Sequence, residues 1–152
     1  MKLGRLNHIG VVVPDMDQAV AFWRDVMGAT SFHEADVPQD GLHIIFVDTP
    51  THSTSSGQAH SGMDGTQMEL IQPLNEETAV SAFLAKNPAG GQHHVCFEVP
   101  DIEAARAEFE AQGKRVLGPT RIGAHGTPIF FVHPKDMGGI LTEILETPKE
   151  GH

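Results

Sequence analysis

His8-Ile-Gly-Val-Val-Val-Pro-Asp15 decides the fold, because the same pattern returns 86 residues later as His94-Val-Cys-Phe-Glu-Val-Pro-Asp101. The match continues downstream at the same shift, where Ala19 corresponds to Ala105 and Trp23 to Phe109. Self-similarity over this length indicates that the chain contains two copies of one supersecondary unit.

Each copy opens with an apolar β-rich run that ends at Pro-Asp. Proline cannot donate to a strand ladder, and Asp15 and Asp101 are good helix N-caps, so a helix should follow each strand. Gly28 and Gly113 are predicted to end these helices. Residues with helical spacing predict an apolar stripe that packs on a sheet: Ala19, Phe22, Trp23 and Val26 in the first copy, and Ile102, Ala105 and Phe109 in the second.

Further strand-like segments follow in both copies. They span 41–47 and 67–72 in the first copy, and 128–132 and 140–145 in the second. The predicted fold class is therefore α+β, with two βαβββ modules that form an incomplete mixed barrel.

The predicted domain organisation has two modules and a connection between them. The first module covers 1–74, with a Ser-, Gly- and Thr-rich insertion loop at 50–66 that we expect to be mobile. A linking helix and turn cover 75–91, and the second module covers 92–147. Residues 148–152 are predicted to be a tail that is partly an expression tag.

The composition of the chain indicates which classes of binding partner are unfavourable. The chain has 10 Lys and Arg against 20 Asp and Glu, a formal net charge of −10, which disfavours nucleic acid and anionic membranes. No run approaches the roughly 18 apolar residues of a membrane span, and Met1–Asn7 lacks a signal-peptide core. The single cysteine, Cys96, lies in an apolar run and is expected to be a buried hydrophobic residue. We expect a cytoplasmic protein.

The repeat also selects polar residues at equivalent positions. His8 and His94 stand near the start of the first strand of each copy, and Glu69 and Glu143 interrupt the apolar last strands. A buried carboxylate without a partner is costly, and a metal ion would satisfy it. One such residue alone more often faces solvent or makes a local hydrogen bond. Four at symmetry-equivalent places predict a site for one Zn²⁺, Co²⁺, Mn²⁺, Ni²⁺ or Fe²⁺.

Four segments together resemble a known family. They are 6–15 (LNHIGVVVPD), 68–74 (MELIQPL), 88–99 (PAGGQHHVCFEV) and 122–136 (IGAHGTPIFFVHPKD). On these segments the chain resembles the methylmalonyl-CoA epimerases of the vicinal oxygen chelate (glyoxalase/bleomycin resistance) superfamily, over nearly its whole length.

The resemblance implies epimerisation of methylmalonyl-CoA, or of a related 2-substituted acyl-CoA, by proton transfer through a metal-stabilised enolate. It implies His8, Glu69, His94 and Glu143 as metal ligands, with Glu143 and Glu69 as candidate catalytic bases. It also implies substrate contacts in two segments near the end of the chain, at Gly123, His125, His133 and Lys135. A small thioester is the expected substrate, and a homodimer is the expected assembly.

Two departures from the family pattern leave alternatives open. Ile44 stands where some epimerases carry a second catalytic glutamate, and Thr127 stands where several relatives have Lys. One alternative is isomerisation of a glutathione hemithioacetal, as in glyoxalase I. A second is a metal-free ligand-binding module on the same scaffold. A third, an extradiol-type iron dioxygenase, uses two His and one carboxylate, which makes Glu69 superfluous.

Overall fold

A computed structural model describes residues 1–50 and 65–149, which pack as two compact units. The N-terminal unit is His8–His93, and the C-terminal unit comprises Met1–Asn7 with His94–His152. Most of the segment predicted as an insertion loop, 51–64, lies outside the described residues, as do 150–152 of the predicted tail. The exact module boundaries proposed from the sequence stay a prediction.

Both units have the strand topology of one βαβββ repeat. The N-terminal unit has the strand order β2-β3-β4-β1, and the C-terminal unit has the order β6-β7-β8-β5. In each unit the first and last strands are parallel and the other pairs are antiparallel, so each sheet is mixed and open. The strands are β1 Leu6–Val12, β2 Phe32–Glu34, β3 Leu42–Asp48, β4 Gln67–Pro73, β5 Gly91–Val99, β6 Val116–Ile122, β7 Pro128–Val132 and β8 Thr142–Glu146.

The strand registers are also equivalent in the two units. Glu69 on β4 lies beside Gly10 on β1, and Glu143 on β8 lies beside Cys96 on β5. Gly10 and Cys96 are separated by 86 residues, the same shift that relates the two histidines. The repeat is therefore structural, and it places Glu69 and Glu143 at equivalent positions.

The helices begin where the Pro-Asp pairs predict. The Asp15 side chain accepts from the backbone N–H of Gln18 ahead of α1 (Met16–Ala21), and Asp101 accepts from Ala104 ahead of the second crossover helix, α3 (Ile102–Ala111). Gly28 and Gly113 follow the helical segments with φ of 77° and 74°, a conformation that glycine adopts at little cost.

The apolar stripe predicted for the first helix is partly wrong. After α1 the chain continues as a π-helical turn, Phe22–Val26, and the wider turn rotates later side chains away from the helical spacing. Phe22 is 46% exposed and Val26 is 70% exposed, whereas Ala19 and Trp23 pack on the core. In α3, by contrast, Ile102, Ala105 and Phe109 are all buried, as predicted.

The linking helix predicted within 75–91 is short in the structure, where α2 spans Ser81–Lys86. Its start is displaced because the Thr78 hydroxyl accepts from the backbone N–H groups of Val80 and Ser81, which favours a turn over residues that would otherwise continue the helix.

Each unit has its own apolar core between the sheet and its helix. Val13, Met16, Val47 and Leu70 form the N-terminal core, and Val99, Phe109, Phe130, Val132 and Ile144 belong to the C-terminal one. The opposite face of the C-terminal sheet carries a smaller apolar cluster, formed by Cys96, Ile129 and Leu145, beside the polar side chains. Within 1–50 and 65–149, no helix has both the length and the apolar character that a membrane span requires.

Candidate metal centre and active site

His94 and Glu143 form a buried pair in the C-terminal unit. His94 is 3% exposed and Glu143 is 5% exposed, and His94 Nε2 lies 3.2 Å from Glu143 Oε1. The pair arises because the parallel β5 and β8 place their side chains on a common face. A nitrogen and a carboxylate oxygen thus point at one another in a setting that excludes water.

His8 and Glu69 form the matching pair in the N-terminal unit. His8 is 1% exposed and Glu69 is 5% exposed, with 3.6 Å between His8 Nε2 and Glu69 Oε1. The structure therefore brings the four predicted ligands together as two His–Glu pairs, one in each unit. These buried pairs are suitable donors for a metal site.

An aromatic ring packs against each histidine at an equivalent position. The rings of His8 and Phe46 meet edge to face with centroids 5.8 Å apart, and those of His94 and Phe131 do so at 5.4 Å. Phe46 lies beside Glu69 in the β3–β4 ladder, and Phe131 lies beside Glu143 in the β7–β8 ladder. Packing of this kind restricts the rotation of each imidazole.

His93 has surroundings unlike those of its neighbour. Its ring packs edge to face on Phe83, with centroids 5.3 Å apart, and its side chain is only half-buried. Adjacent residues in a strand point to opposite faces, which accounts for the difference between His93 and His94.

A buried polar cluster that the sequence reasoning missed lies beside the His8–Glu69 pair. Gln67 is the register neighbour of His8 in the β1–β4 ladder, and its Nε2 donates to Asp48 Oδ1 at 2.7 Å. The second oxygen of Asp48 contacts the Ser31 hydroxyl and His33 Nε2. Burial raises the pKa of Asp48, but the hydrogen bonds from Gln67, Ser31 and His33 outweigh it, so the pKa lies below its usual range.

Glu98 is a second buried carboxylate that the sequence reasoning passed over. It is 3% exposed, and its Oε2 accepts from Arg5 Nε at 2.7 Å and from Asn7 Nδ2 at 2.8 Å. Asn7 immediately precedes His8, so this network anchors the strand that carries one candidate ligand. A signal was available in the sequence, because Glu98 interrupts an apolar strand just as Glu69 and Glu143 do.

The four predicted substrate contacts lie at two turns of the C-terminal unit. Gly123 and half-buried His125 belong to the β6–β7 hairpin turn, where Gly126 N donates to Gly123 O at 2.9 Å. The His133 ring accepts from the backbone N–H of Lys135 at 3.1 Å and caps a short 3₁₀ turn, while the Lys135 side chain is exposed. Their contact with a substrate stays a prediction.

Ile44 supplies no acid–base group at the place where a second base was sought. It is 3% exposed, and its backbone N–H donates to Asp36 Oδ1 at 2.9 Å. By strand alternation its side chain lies on the same face as Phe46. The position at which some epimerases carry a second catalytic glutamate is therefore occupied here by a buried apolar side chain.

These features identify the class of protein. The model of the Glyoxalase/Bleomycin resistance protein/Dioxygenase superfamily matches residues 7–131, and the chain belongs to this superfamily. The predicted α+β fold class with two βαβββ modules is thereby confirmed.

Among curated proteins the chain is similar to epimerases. It is 42% identical over 144 residues to the mitochondrial methylmalonyl-CoA epimerase of Mus musculus, covering 94% of this chain and 73% of the mouse protein. It is 43% identical over 144 residues to the ethylmalonyl-CoA/methylmalonyl-CoA epimerase of Cereibacter sphaeroides, covering 93% of this chain and 97% of that protein.

A solved structure is similar over the same length. A variant of Streptomyces coelicolor methylmalonyl-CoA epimerase in complex with 2-nitronate-propionyl-CoA matches with a TM-score of 0.80 and 34% identity, covering 97% of this chain and 100% of that chain. The resemblance to methylmalonyl-CoA epimerases that the sequence motifs predicted is confirmed by these relatives.

Proposed function

We propose that this protein epimerises methylmalonyl-CoA, or a closely related 2-substituted malonyl-type thioester, by moving the proton on the carbon between the thioester and the carboxylate. One observation carries the proposal: each unit holds a buried His–Glu pair, His8–Glu69 or His94–Glu143, at an equivalent position. The epimerase relatives support the same reaction.

The donor spacing within each His–Glu pair suits a divalent cation. Two ligand atoms about 2.1 Å from such an ion lie about 3.0–3.4 Å apart at octahedral to tetrahedral angles. The His94–Glu143 separation of 3.2 Å lies within that span, and the His8–Glu69 separation of 3.6 Å is slightly wider. We infer that all four residues ligate one ion, and the imidazole and carboxylate donors suit Co²⁺, Mn²⁺, Zn²⁺, Ni²⁺ or Fe²⁺. When bound, the ion supplies Lewis acidity that stabilises negative charge on the substrate oxygens.

The chain's own residues must handle the proton. Epimerisation needs one base for removal of the proton and another group for its return on the opposite face of the planar intermediate. Because Ile44 offers no such group, we assign the two roles to Glu143 and Glu69, the equivalent carboxylates of the two units. Each then has a double role, as ligand and as proton carrier, and the packed Phe131 and Phe46 keep the neighbouring imidazoles in place.

Isotope exchange tests this function. The protein is stripped with a chelator, single metals are restored, and deuterium from solvent D₂O is followed into methylmalonyl-CoA. A methylglyoxal–glutathione assay runs in parallel. We expect metal-dependent exchange in the first assay and no turnover in the second. Turnover of only the hemithioacetal would favour a glyoxalase I type reaction, and activity in neither assay despite bound metal would contradict both enzyme hypotheses.

Assembly and location are further parts of the proposal. We propose a homodimer, because half-barrel units often pair, and a cytoplasmic location, because the one cysteine is buried and cannot form an internal disulfide. Light scattering of the purified protein measures the oligomeric state. A monomer has a mass near 16.4 kDa, and a dimer has twice that mass.

A further inference from the structure

A second cluster of metal-type donor atoms lies in the N-terminal unit, apart from the His8–Glu69 pair. The Ser31 hydroxyl and His33 Nε2 both contact Oδ2 of Asp48, and Ser31 Oγ lies 3.4 Å from His33 Nε2. An imidazole nitrogen, a carboxylate oxygen and a hydroxyl oxygen therefore converge on one point, where all three can face a single small ligand.

The spacing of these donors is close to that of the ligands of a transition-metal ion. Two ligands of one such ion lie about 3.0–3.4 Å apart, and the separation between Ser31 Oγ and His33 Nε2 falls at the upper end of that span. The Asp48 oxygen lies closer than this to both of its neighbours. Because the His33 side chain is 57% exposed, its ring can move outward by about 1 Å and admit an ion.

Asp48 has the surroundings of a metal-ligating carboxylate. Its side chain is 4% exposed, and its Oδ1 accepts from Gln67 Nε2 at 2.7 Å. The pKa of Asp48 lies below its usual range because of its hydrogen bonds, so the carboxylate is ionised at neutral pH. Ligating carboxylates are typically oriented by such a hydrogen bond from a neighbouring residue. The exposed His33 leaves the opposite side of the cluster open to solvent, from which an ion can enter.

The charge of the N-terminal unit also favours a cation. Residues 8–93 contain 11 Asp and Glu against 2 Lys and Arg, so this unit carries −9 of the formal net charge of −10. Of its two basic residues, Arg24 pairs with the neighbouring Asp25, and Lys86 lies in the last turn of α2. A negative field of this kind raises the local concentration of cations.

Another imidazole–carboxylate pair in the same unit lacks these features. His43 Nδ1 lies 2.7 Å from Asp36 Oδ1, and that oxygen also accepts from the backbone N–H of Ile44. Among the described residues no hydroxyl joins this pair, and the Asp36 side chain is 44% exposed. The His43–Asp36 pair is therefore a matched comparison for the cluster.

We propose that Ser31, His33 and Asp48 bind a divalent transition-metal cation of the Zn²⁺ class, at a site separate from the His–Glu pairs. His33 Nε2 and Asp48 Oδ2 are the principal ligands, the Ser31 hydroxyl is the third, and water completes the coordination on the exposed side.

The strand registers place this site relative to Glu69. His33 lies opposite Phe46 in the β2–β3 ladder, and Phe46 lies opposite Glu69 in the β3–β4 ladder. Residues opposite one another share a sheet face, so His33 is on the face that carries Glu69, two strand spacings or about 10 Å away. A cation at the cluster joins the edge strand β2 to β3 and lowers the negative charge of this face.

Counting bound zinc tests the site. The full chain is stripped with a chelator and dialysed to equilibrium against Zn²⁺, and the ions per chain are measured by elemental mass spectrometry. His33→Ala and Asp48→Asn should each hold one ion fewer than the parent protein. The double variant His33→Ala/Glu143→Ala should hold two fewer, because the two sites are separate. His43→Ala is the matched control and should hold as many ions as the parent.

Two results would overturn the proposal: zinc content unchanged from the parent in His33→Ala or in Asp48→Asn, and an equal loss in His43→Ala. Because the His33 side chain is more than half exposed, His33→Ala should keep the fold, which its circular dichroism spectrum checks. Glu143→Ala alone reports on the metal centre of the proposed function. A loss of zinc in His33→Ala with none in Glu143→Ala supports the present site and contradicts that centre.

Discussion

Replacing Glu98 by Ala removes the acceptor that joins the start of β1 to β5. The Glu98 carboxylate is 4% exposed in its side chain and accepts from Arg5 Nε and Asn7 Nδ2. Without it, Asn7 loses a buried acceptor and Arg5 loses its anionic partner. The prediction is a large loss of stability together with weaker metal binding, because the residue after Asn7 is the candidate ligand His8.

The burial of this ion pair gives the expected loss in the free energy of unfolding. Removing one partner from a buried ion pair costs about 3–5 kcal/mol. The Arg5 side chain is 37% exposed and regains water when unpaired, so we expect the lower end, about 3 kcal/mol. In a chain of this size that corresponds to a Tm lowered by about 6–12 °C. Glu98→Gln keeps an acceptor for Asn7 and should cost only about 1 kcal/mol.

Urea denaturation measures the free energy of unfolding of both variants beside the parent. Glu110→Ala is the matched control: Glu110 pairs with Arg106 at 2.8 Å on the surface of α3, where an exposed pair contributes about 0.5 kcal/mol or less. If Glu98→Ala loses no more stability than Glu110→Ala, the reasoning from burial is refuted.

Three further predictions concern the site and its surroundings. Glu143→Ala should lose its metal, measured by elemental mass spectrometry, and lower kcat about 100-fold or more, whereas Cys96→Ala should keep both at a stability cost of about 1 kcal/mol. Full activity in Glu143→Ala would remove that residue from the mechanism. His94→Ala should abolish metal binding while His93→Ala lowers activity by less than about threefold, and equal losses would contradict their different surroundings. The lowered pKa of Asp48 means that its stabilisation is present above the unfolded value of about 4 and is lost as the pH falls through the lower folded value. The destabilisation in Asp48→Asn should thus shrink from pH 7 to pH 3, and a constant difference in urea midpoints would argue against this linkage.

Local rules predicted the elements whose sequence signals are strong. The caps at Asp15 and Asp101 follow from a proline-aspartate pair after an apolar strand, and the structure has both. The edge strands β2 and β6 were not located from the sequence. β2 has only three residues, and β6 contains Gly118 and Pro119, so neither shows the alternation of a half-buried strand. The π-helical turn also escaped prediction, because a helical period assumes the same number of residues in every turn.

The site residues that have an equivalent in both copies of the repeat could be predicted from the sequence. Equivalence of the two copies selected His8, His94, Glu69 and Glu143, and the structure places them in two buried pairs. Side chains that have no equivalent in the other copy were missed. Asp48 owes its surroundings to the β2–β3 and β3–β4 pairings, which join distant parts of the chain in a register that sequence spacing alone does not specify.

The equivalent strand registers have a consequence for how this protein can diverge. The connection between β3 and β4, residues 49–66, is twice as long as the connection between β7 and β8, residues 133–141. The spacing between histidine and carboxylate is nevertheless set by the parallel ladders, so hairpin length has no influence on it. We therefore expect the protein to tolerate insertions, deletions or a grafted reporter peptide in the β3–β4 connection. Evolution can change the length of this connection without changing the spacing between histidine and carboxylate.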